Sequence, residues 1–418
     1  MTRAKDISKI LTDADISGNI DVDGVTNLDV VDIDGAVDMA STLGVTGAIT
    51  GTSATLTGDI TASSFNGGQL GGRRNLLINS GFGVSQRGTS ASSVTASQYL
   101  CDRWEYETIG EETVTISQTT DVPSGFSNSF KVEITTADSD VIASDYAVVK
   151  QVIEAQNLQH LKYGSSDAET ITLSFHVKSS VTGTYAVGLE HGETSSYHSK
   201  TYSISSANTW EKKTVTFTGN TATAINNDNG AGLHVNFALS AGTSYTTGSN
   251  GAWGAITNWL ANHAVNVIGT VNATFFITGV QLEVGSVATP FEHRSFGEEL
   301  ALCQRYFYAF ADGRIATNQH IGVGTYYASN AIFFNTKFPV SMRAKPTLES
   351  TVGTNYYIAF ANSGSDHFDE IVTFSTHTTT EIAELKGQTN VSATAGHGTF
   401  LRLGGTSDTA RLFFDAEL

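Results

Sequence analysis

The side chains able to do acid–base or metal chemistry are thinly spread along this chain. Glu105, Glu107, Glu190, Glu193 and Asp228 are the candidate acids. Glycoside cleavage needs two carboxylates held across a sugar, one with a raised pKa, and spacing alone pairs none of these. His191 and His198, His320, His367, His377 and His397 never fall into a His-x-His metal pair, and each reads as a surface or hydrogen-bonded ring. Neither a Gly-x-Ser-x-Gly elbow nor a His-Glu-x-x-His helix occurs, and nucleotide-binding fingerprints are absent. Asp-x-Asp-Gly appears twice, ending at Gly24 and Gly35, without the ligand ladder and terminal Glu of a calcium loop. Solvated strand-edge aspartates that discourage edge pairing explain it better. The expectation is a protein that is not an enzyme, with no catalytic residue, metal or cofactor.

Residues suited to holding a sugar are easier to find. Such a site needs ring faces for C–H groups and amides or hydroxyls for the sugar's own hydroxyls. One loop of that composition runs from His191 through Tyr197 and His198, and another from Tyr245 through Trp253 to Trp259. Trp253, Ile256 and Leu260 equally suit a short packed helix. Tyr326 with Tyr327 and Tyr356 with Tyr357 are doublets inside strand-like runs. One ring of each doublet is expected to point outward, toward a ligand or toward another copy of the chain.

The elements that must position these residues are strands. Gly, Ser and Thr abound, Pro is scarce, 15% of residues are charged and 10% are aromatic, which fits short strands joined by Gly-rich turns. The net charge of −18 without a Lys/Arg cluster excludes a nucleic-acid binder. The first residues hold no apolar signal core, and no stretch is long enough to cross a bilayer. Cys101 and Cys303 are expected to be buried thiols, with a disulfide between them as the alternative.

Five segments follow. Residues 1–15 form an amphipathic stretch with Ile7, Ile10 and Leu11 on one face and Arg3 and Lys5 beside them, too short to stand alone as a helix. Residues 16–72 are a rod of three- or four-residue strands punctuated by Gly, closed by a Gly-rich linker; such strands bury their apolar faces only against other copies. Longer alternation follows across 73–294, as in Ile171, Leu173, Phe175, Val177 and in Leu233, Val235, Phe237, Leu239, the pattern of half-buried sandwich strands. Ser295-Phe-Gly-Glu298 is a capping box opening a helix over 295–308, with Leu300, Cys303 and Phe307 at helical spacing. Strands return over 309–418, the last running to the chain end from Arg411. The fold class is all-β: a short intertwined β stalk, a jelly-roll sandwich, a C-terminal β domain and one connecting helix.

Several short motifs sit in one order across this framework: Asn75-Leu-Leu-Ile-Asn79 with Gly81-Phe82, Gln86-Arg-Gly88, Asp102-Arg-Trp104, Leu173-Ser-Phe175, Thr209-Trp210, Gly279-Val-Gln-Leu-Glu-Val-Gly285, Thr289-Pro-Phe-Glu292 and Cys303-Gln-Arg-Tyr306. Together they resemble a domain of phage tail-fibre proteins, itself similar to jelly-roll carbohydrate-binding modules. Phe338-Pro-Val-Ser-Met-Arg343 with Pro346 resembles the hairpin that follows in such fibres, and the N-terminal segment resembles fibre stalks of marine podoviruses. The resemblance implies a homotrimeric virion protein, assembled in the host cytoplasm. Its N-terminus, with Arg3, Lys5, Ile7, Ile10 and Leu11, would meet a tail or adaptor protein, while its distal domains attach to a host surface polysaccharide. A structural tail spacer and a polysaccharide-degrading tailspike are the alternatives. Jelly-roll modules of this kind often hold a structural calcium. The acidic position after Gly-Phe is Gly83 here, which leaves Asn79 and Glu283 as candidate ligands and no metal expected. Trp104 and Trp210 read as core anchors. The glycan-contact candidates are Tyr326, Tyr327, Tyr356, Tyr357, Tyr197, His198, Trp253 and Trp259.

Overall fold

Beyond residue 89 the alternation of apolar and polar side chains resolves into antiparallel strands. The computed structural model describes residues 73–362, 364–373, 376–404 and 409–418. The expected anchor, with Arg3, Lys5, Ile7, Ile10 and Leu11, and the expected stalk over residues 16–72 lie outside the described residues.

Twelve strands build a two-sheet jelly-roll sandwich: β1 (Ser90–Val94), β2 (Gln98–Tyr99), β3 (Glu105–Ile109), β4 (Thr113–Thr119), β5 (Ser129–Thr136), β6 (Tyr146–Glu154), β7 (Ile171–Ser179), β8 (Gly183–His191), β9 (Tyr197–Ile204), β10 (Glu211–Phe217), β11 (Ala231–Ala241) and β12 (Thr274–Val284). One sheet runs β1-β4-β5-β12-β7-β10 and the other β2-β3-β6-β11-β8-β9. Inward residues of both sheets form the core. Rings thread it: Phe82 to Trp104 (5.0 Å between centroids), Trp104 to Phe237 (6.4 Å), Phe237 to Phe175 (5.0 Å) and Phe175 to Tyr202 (4.9 Å). Edge-to-face and tilted pairs of this kind add roughly 0.5–1.5 kcal/mol beyond the area they bury. Asn79 takes the left-handed backbone that its turn requires (φ 55°).

The expected half-buried strands are covered on both sides. In β7, Thr172 and Ser174 are buried along with Ile171, Leu173, Phe175 and Val177, and in β11 Asn236 and Ala238 are buried with Leu233, Val235 and Phe237. The cause is long loops folding back onto the outer faces. Trp210 is not a core anchor: it lies half-buried at the start of β10, where its Nε1 donates to Asp121 (3.1 Å). Trp104 is fully buried.

Ser295 caps the connecting helix Phe296–Gln304, its side chain accepting from the Glu298 amide. The helix ends sooner than its apolar spacing implies, because Phe307 already opens the next strand. Ten strands follow: β13 (Phe307–Asp312), β14 (His320–Ala328), β15 (Ala331–Lys337), β16 (Thr347–Ser350), β17 (Tyr357–Ala361), β18 (Gly364–Phe368), β19 (Glu370–Thr373), β20 (Ile382–Gln388), β21 (Gly398–Leu403) and β22 (Arg411–Asp415). They form a three-stranded sheet, β13-β22-β16, and a seven-stranded one, β18-β17-β21-β14-β15-β20-β19. The last strand stops at Asp415, since the residues after it turn back onto the sandwich.

That return makes the seam between the two halves, which belong to one compact unit. The wholly buried Arg103 pairs with Glu417 and lies over the Tyr306 ring at 3.6 Å. Arg87 reaches Asp415 (2.9 Å), and Arg305 reaches Glu154 (2.6 Å). Arg343 donates to the carbonyls of Ala416 (2.8 Å), Glu417 (2.9 Å) and Asn229 (2.8 Å). Buried charge is costly unless paired, and here the pairing joins sandwich to C-terminal sheets. Cys101 and Cys303 are both buried and unpaired thiols.

Candidate functional site

A recess of about 270 Å³ opens on the outer face of the β2-β3-β6-β11-β8-β9 sheet. Strand alternation selects which side chains face it. One cross-strand row runs Glu105, Lys150, Asn236, Gly188; the next runs His234, Glu190, Tyr197. These are the polar mates of the core positions Leu233, Val235 and Phe237, turned away from the core by the two-residue period.

The wall comes from the loop between β11 and β12. It contains a helical turn, Thr243–Thr246, and a 3-10 turn, Ile256–Asn258, so the short packed helix read from Trp253, Ile256 and Leu260 shrinks to one turn. Two backbone bonds tie this loop to β9, Tyr197 N to Gly254 O (2.9 Å) and Gly254 N to Tyr197 O (2.8 Å). Gly188 lets it lie flat: a Cβ there would run into the carbonyl of Trp259 and the Leu260 side chain. Tyr146, Tyr245 and Trp259 meet as a triangle of edge-to-face rings, 4.9–5.4 Å apart, and Tyr197 completes the aromatic lining.

The floor is polar. Lys150 Nζ bridges Glu107 (2.5 Å) and Glu105 (3.2 Å), and the Tyr146 hydroxyl donates to Glu107 (2.8 Å). Glu190 stands 3.6 Å from His234 Nδ1. Burial, opposed by Lys150 and reinforced by Glu107, pushes the Glu190 carboxyl up to about 7. Burial lowers His234 to about 4, so its ring is neutral near pH 7. Asn236 Oδ1 and Trp259 Nε1 are buried without a hydrogen-bond partner. An orphaned polar atom costs about 1–3 kcal/mol, and Asn236, wholly buried, lies outside the residues that line the recess.

No protein-family model matches this chain, and no curated protein matches it. Among solved structures, the enzymatically active domain of tailspike protein 4 of bacteriophage CBA120 aligns with 50% of this chain at 16% identity and a TM-score of 0.29. The chain spans 21% of that domain's length. A CBM4 structure aligns with 43% of this chain and 86% of its own length, at 16% identity and TM-score 0.24. The tandem CBM22-1–CBM22-2 of Paenibacillus barcinonensis Xyn10C aligns with 85% of this chain and all of its own length, at 12% identity and TM-score 0.26.

Of the eight contact candidates, the structure places Tyr197 and Trp259 in the recess. His198 alternates to the other face of β9. It is fully buried against Phe217 and Trp253, with its pKa pushed down to about 4 by desolvation, so no ligand reaches it. Trp253 is a packing residue, its Nε1 donating to the Thr218 carbonyl (2.8 Å) and its ring set on Tyr163. Each tyrosine doublet splits as strand alternation requires. Tyr326 is buried with its hydroxyl donating to Asp366 (3.2 Å), and Tyr357 is buried with its hydroxyl on the Thr351 carbonyl (2.7 Å). Neither can contact a glycan. Tyr327 is 79% exposed and rests on Phe333, whereas Tyr356 is half-buried and bonded to Thr409. The outward rings therefore have different neighbours. Asn79 and Glu283 are spent on protein partners: Asn79 Oδ1 accepts from Val84 N (2.9 Å), and Glu283 accepts from the Thr289 amide (2.8 Å) and hydroxyl (2.6 Å).

Sequence reasoning passed over Tyr146, Lys150, His234 and Asn236. Their signal was present: each is a polar or aromatic outward mate in a strongly apolar strand. Only the order of strands in the sheet shows that they meet.

Proposed function

We propose that this chain is a non-enzymatic tail-fibre protein of a phage virion that attaches to a host surface glycan through the recess on its second sandwich sheet. The observation that carries the binding role is the meeting of four ring-bearing residues, Tyr146, Tyr197, Tyr245 and Trp259, with the polar side chains of Glu107, Lys150, Glu190 and His234 in one recess. Rings cover the faces of a sugar, and Glu107, Glu190 and His234 take its hydroxyls. The fibre role rests on the ordered motifs from Asn75 to Tyr306. A homotrimer joined through residues 16–72, with residues 1–15 held by a tail or adaptor protein, completes the reading; three weak sites then act together. Adsorption of the full-length protein to host cells tests it. Tyr197→Ala with Tyr245→Ala should weaken adsorption about thirtyfold while the chain stays folded, and undiminished adsorption would sink the proposal.

Cleavage of the bound glycan is a second reading, favoured by a single observation. Glu190, with its carboxyl raised to about 7, has the character of a general acid, and Glu107 is a carboxylate facing the same recess. Release of reducing ends from host polysaccharide, lost in Glu190→Gln, would replace binding with catalysis.

A further inference from the structure

The recess is lopsided in charge and in hydrogen-bonding character. Glu107 and Glu190 line it, and the ammonium among its described lining is Lys150, already bridging Glu107 and Glu105. His234 contributes no charge near neutral pH. The Glu107 carboxylate is an acceptor, Glu190 is one once ionised, and the neutral His234 ring brings one donor and one acceptor. Ion pairing engages Lys150 with two carboxylates and leaves Glu190 as a further acid beside them. An arriving carboxylate or phosphate would meet acceptor against acceptor and lose its hydration without an unengaged cation to replace it. A hydroxyl or ammonium brings donors to these acceptors.

We propose that the recess takes uncharged or amino-bearing sugars and rejects glycans carrying carboxylate, sulfate or phosphate, a selectivity that rests on the recess being the glycan site. Repulsion is the discriminating element here, and attraction by the rings is common to all sugars. The chain's overall charge of −18 also repels polyanions at a distance. That long-range part vanishes at 1 M salt, where the screening length is about 3 Å, while exclusion inside the recess persists.

Affinity electrophoresis of the full-length protein decides the matter, in gels holding mannan, galactan, chitosan oligomers, polygalacturonate or polysialic acid, repeated at 1 M salt. The expected result is retardation by an uncharged or amino polysaccharide and at least about tenfold weaker retardation by the two acidic ones at both salt concentrations. Glu107→Gln with Glu190→Gln should narrow that gap, because it leaves Lys150 with one carboxylate. Retardation by an acidic polysaccharide that disappears in Tyr197→Ala with Tyr245→Ala would overturn the selectivity and leave the glycan site standing. Retardation by none of the five, or retardation that the tyrosine variants do not change, would overturn both.

Discussion

Two outer faces of this molecule present aromatic rings, and they differ in what lies between the rings. On the sandwich sheet, Tyr146, Tyr197, Tyr245 and Trp259 surround a floor of Glu107, Lys150, Glu190 and His234. On the seven-stranded sheet, Phe360 stacks on Phe400 (4.9 Å, 10°), Arg402 lies over Phe360 (4.5 Å), and Val323 and Tyr327 stand open to solvent. The first face couples rings to carboxylates and a neutral imidazole. The second couples rings to aliphatic neighbours, the His320 ring and one stacked guanidinium, Arg402, whose buried Nε has no partner. A sugar has both C–H faces and donor hydroxyls, so the acceptor-bearing first face matches it better than the second, whose polar group is a donor guanidinium. Exposure of rings, the criterion that sequence favours, is a poor guide without the floor beneath them.

The harshest test of the comparison removes what holds the two faces on one body. Arg103→Ala leaves the buried Glu417 with Arg87 alone (3.3 Å), and should cost about 3 kcal/mol, read from the denaturant midpoint of the full-length protein. A loss below about 1 kcal/mol would mean that sandwich and C-terminal sheets stand independently.

The next sharpens the contrast between the faces. Tyr197→Ala with Tyr245→Ala should weaken glycan binding about thirtyfold, at roughly 1 kcal/mol per ring. Tyr327→Ala with Phe400→Ala should leave binding within about twofold, a difference under ~0.5 kcal/mol. The reverse ranking, measured by adsorption or affinity electrophoresis, would move the glycan site to the C-terminal sheet.

A smaller effect probes the floor. Glu190 holds its proton to about pH 7 in the folded chain, against an ordinary value of 4.5. The unfolded chain loses that proton first, so the folded state binds more protons between these values and stability falls as pH rises from 4.5 to 7. Glu190→Gln should flatten that part of the stability profile and raise the melting temperature at pH 8. An unchanged profile would show that Glu190 is better solvated than the recess implies. The smallest effect belongs to the other face, where Tyr327→Ala alone should shift stability by less than about 0.5 kcal/mol; a larger drop in melting would reveal that ring as part of a packed interface.

Much of the framework was legible from the residues. Strict alternation in Ile171–Val177 and Leu233–Leu239 identifies strands, because side chains of period two must face opposite sides. Ser295 and Glu298 mark the helix start, because an orphan amide needs an acceptor there. What alternation cannot convey is cover. Thr172, Asn236 and Ala238 look solvent-facing by period but are buried, Ala238 under Trp259 and Leu260 of the loop that follows its strand. His198 and Trp253 look like loop contacts for a ligand, yet His198 lies on the core side of β9, and Trp253 packs onto it.

The sequence by itself determined the all-β class, the inward set of each strand, the helix cap and the splitting of the tyrosine doublets, since each follows from backbone geometry acting over a few residues. It also set the acidic balance, a net charge of −18. Tertiary structure alone decided that Lys150, Glu190, His234, Tyr197 and Trp259 share one recess, and that Arg103 closes onto Glu417. Those meetings depend on strand order and loop return, which arise from burying one continuous core and leave no mark in local spacing.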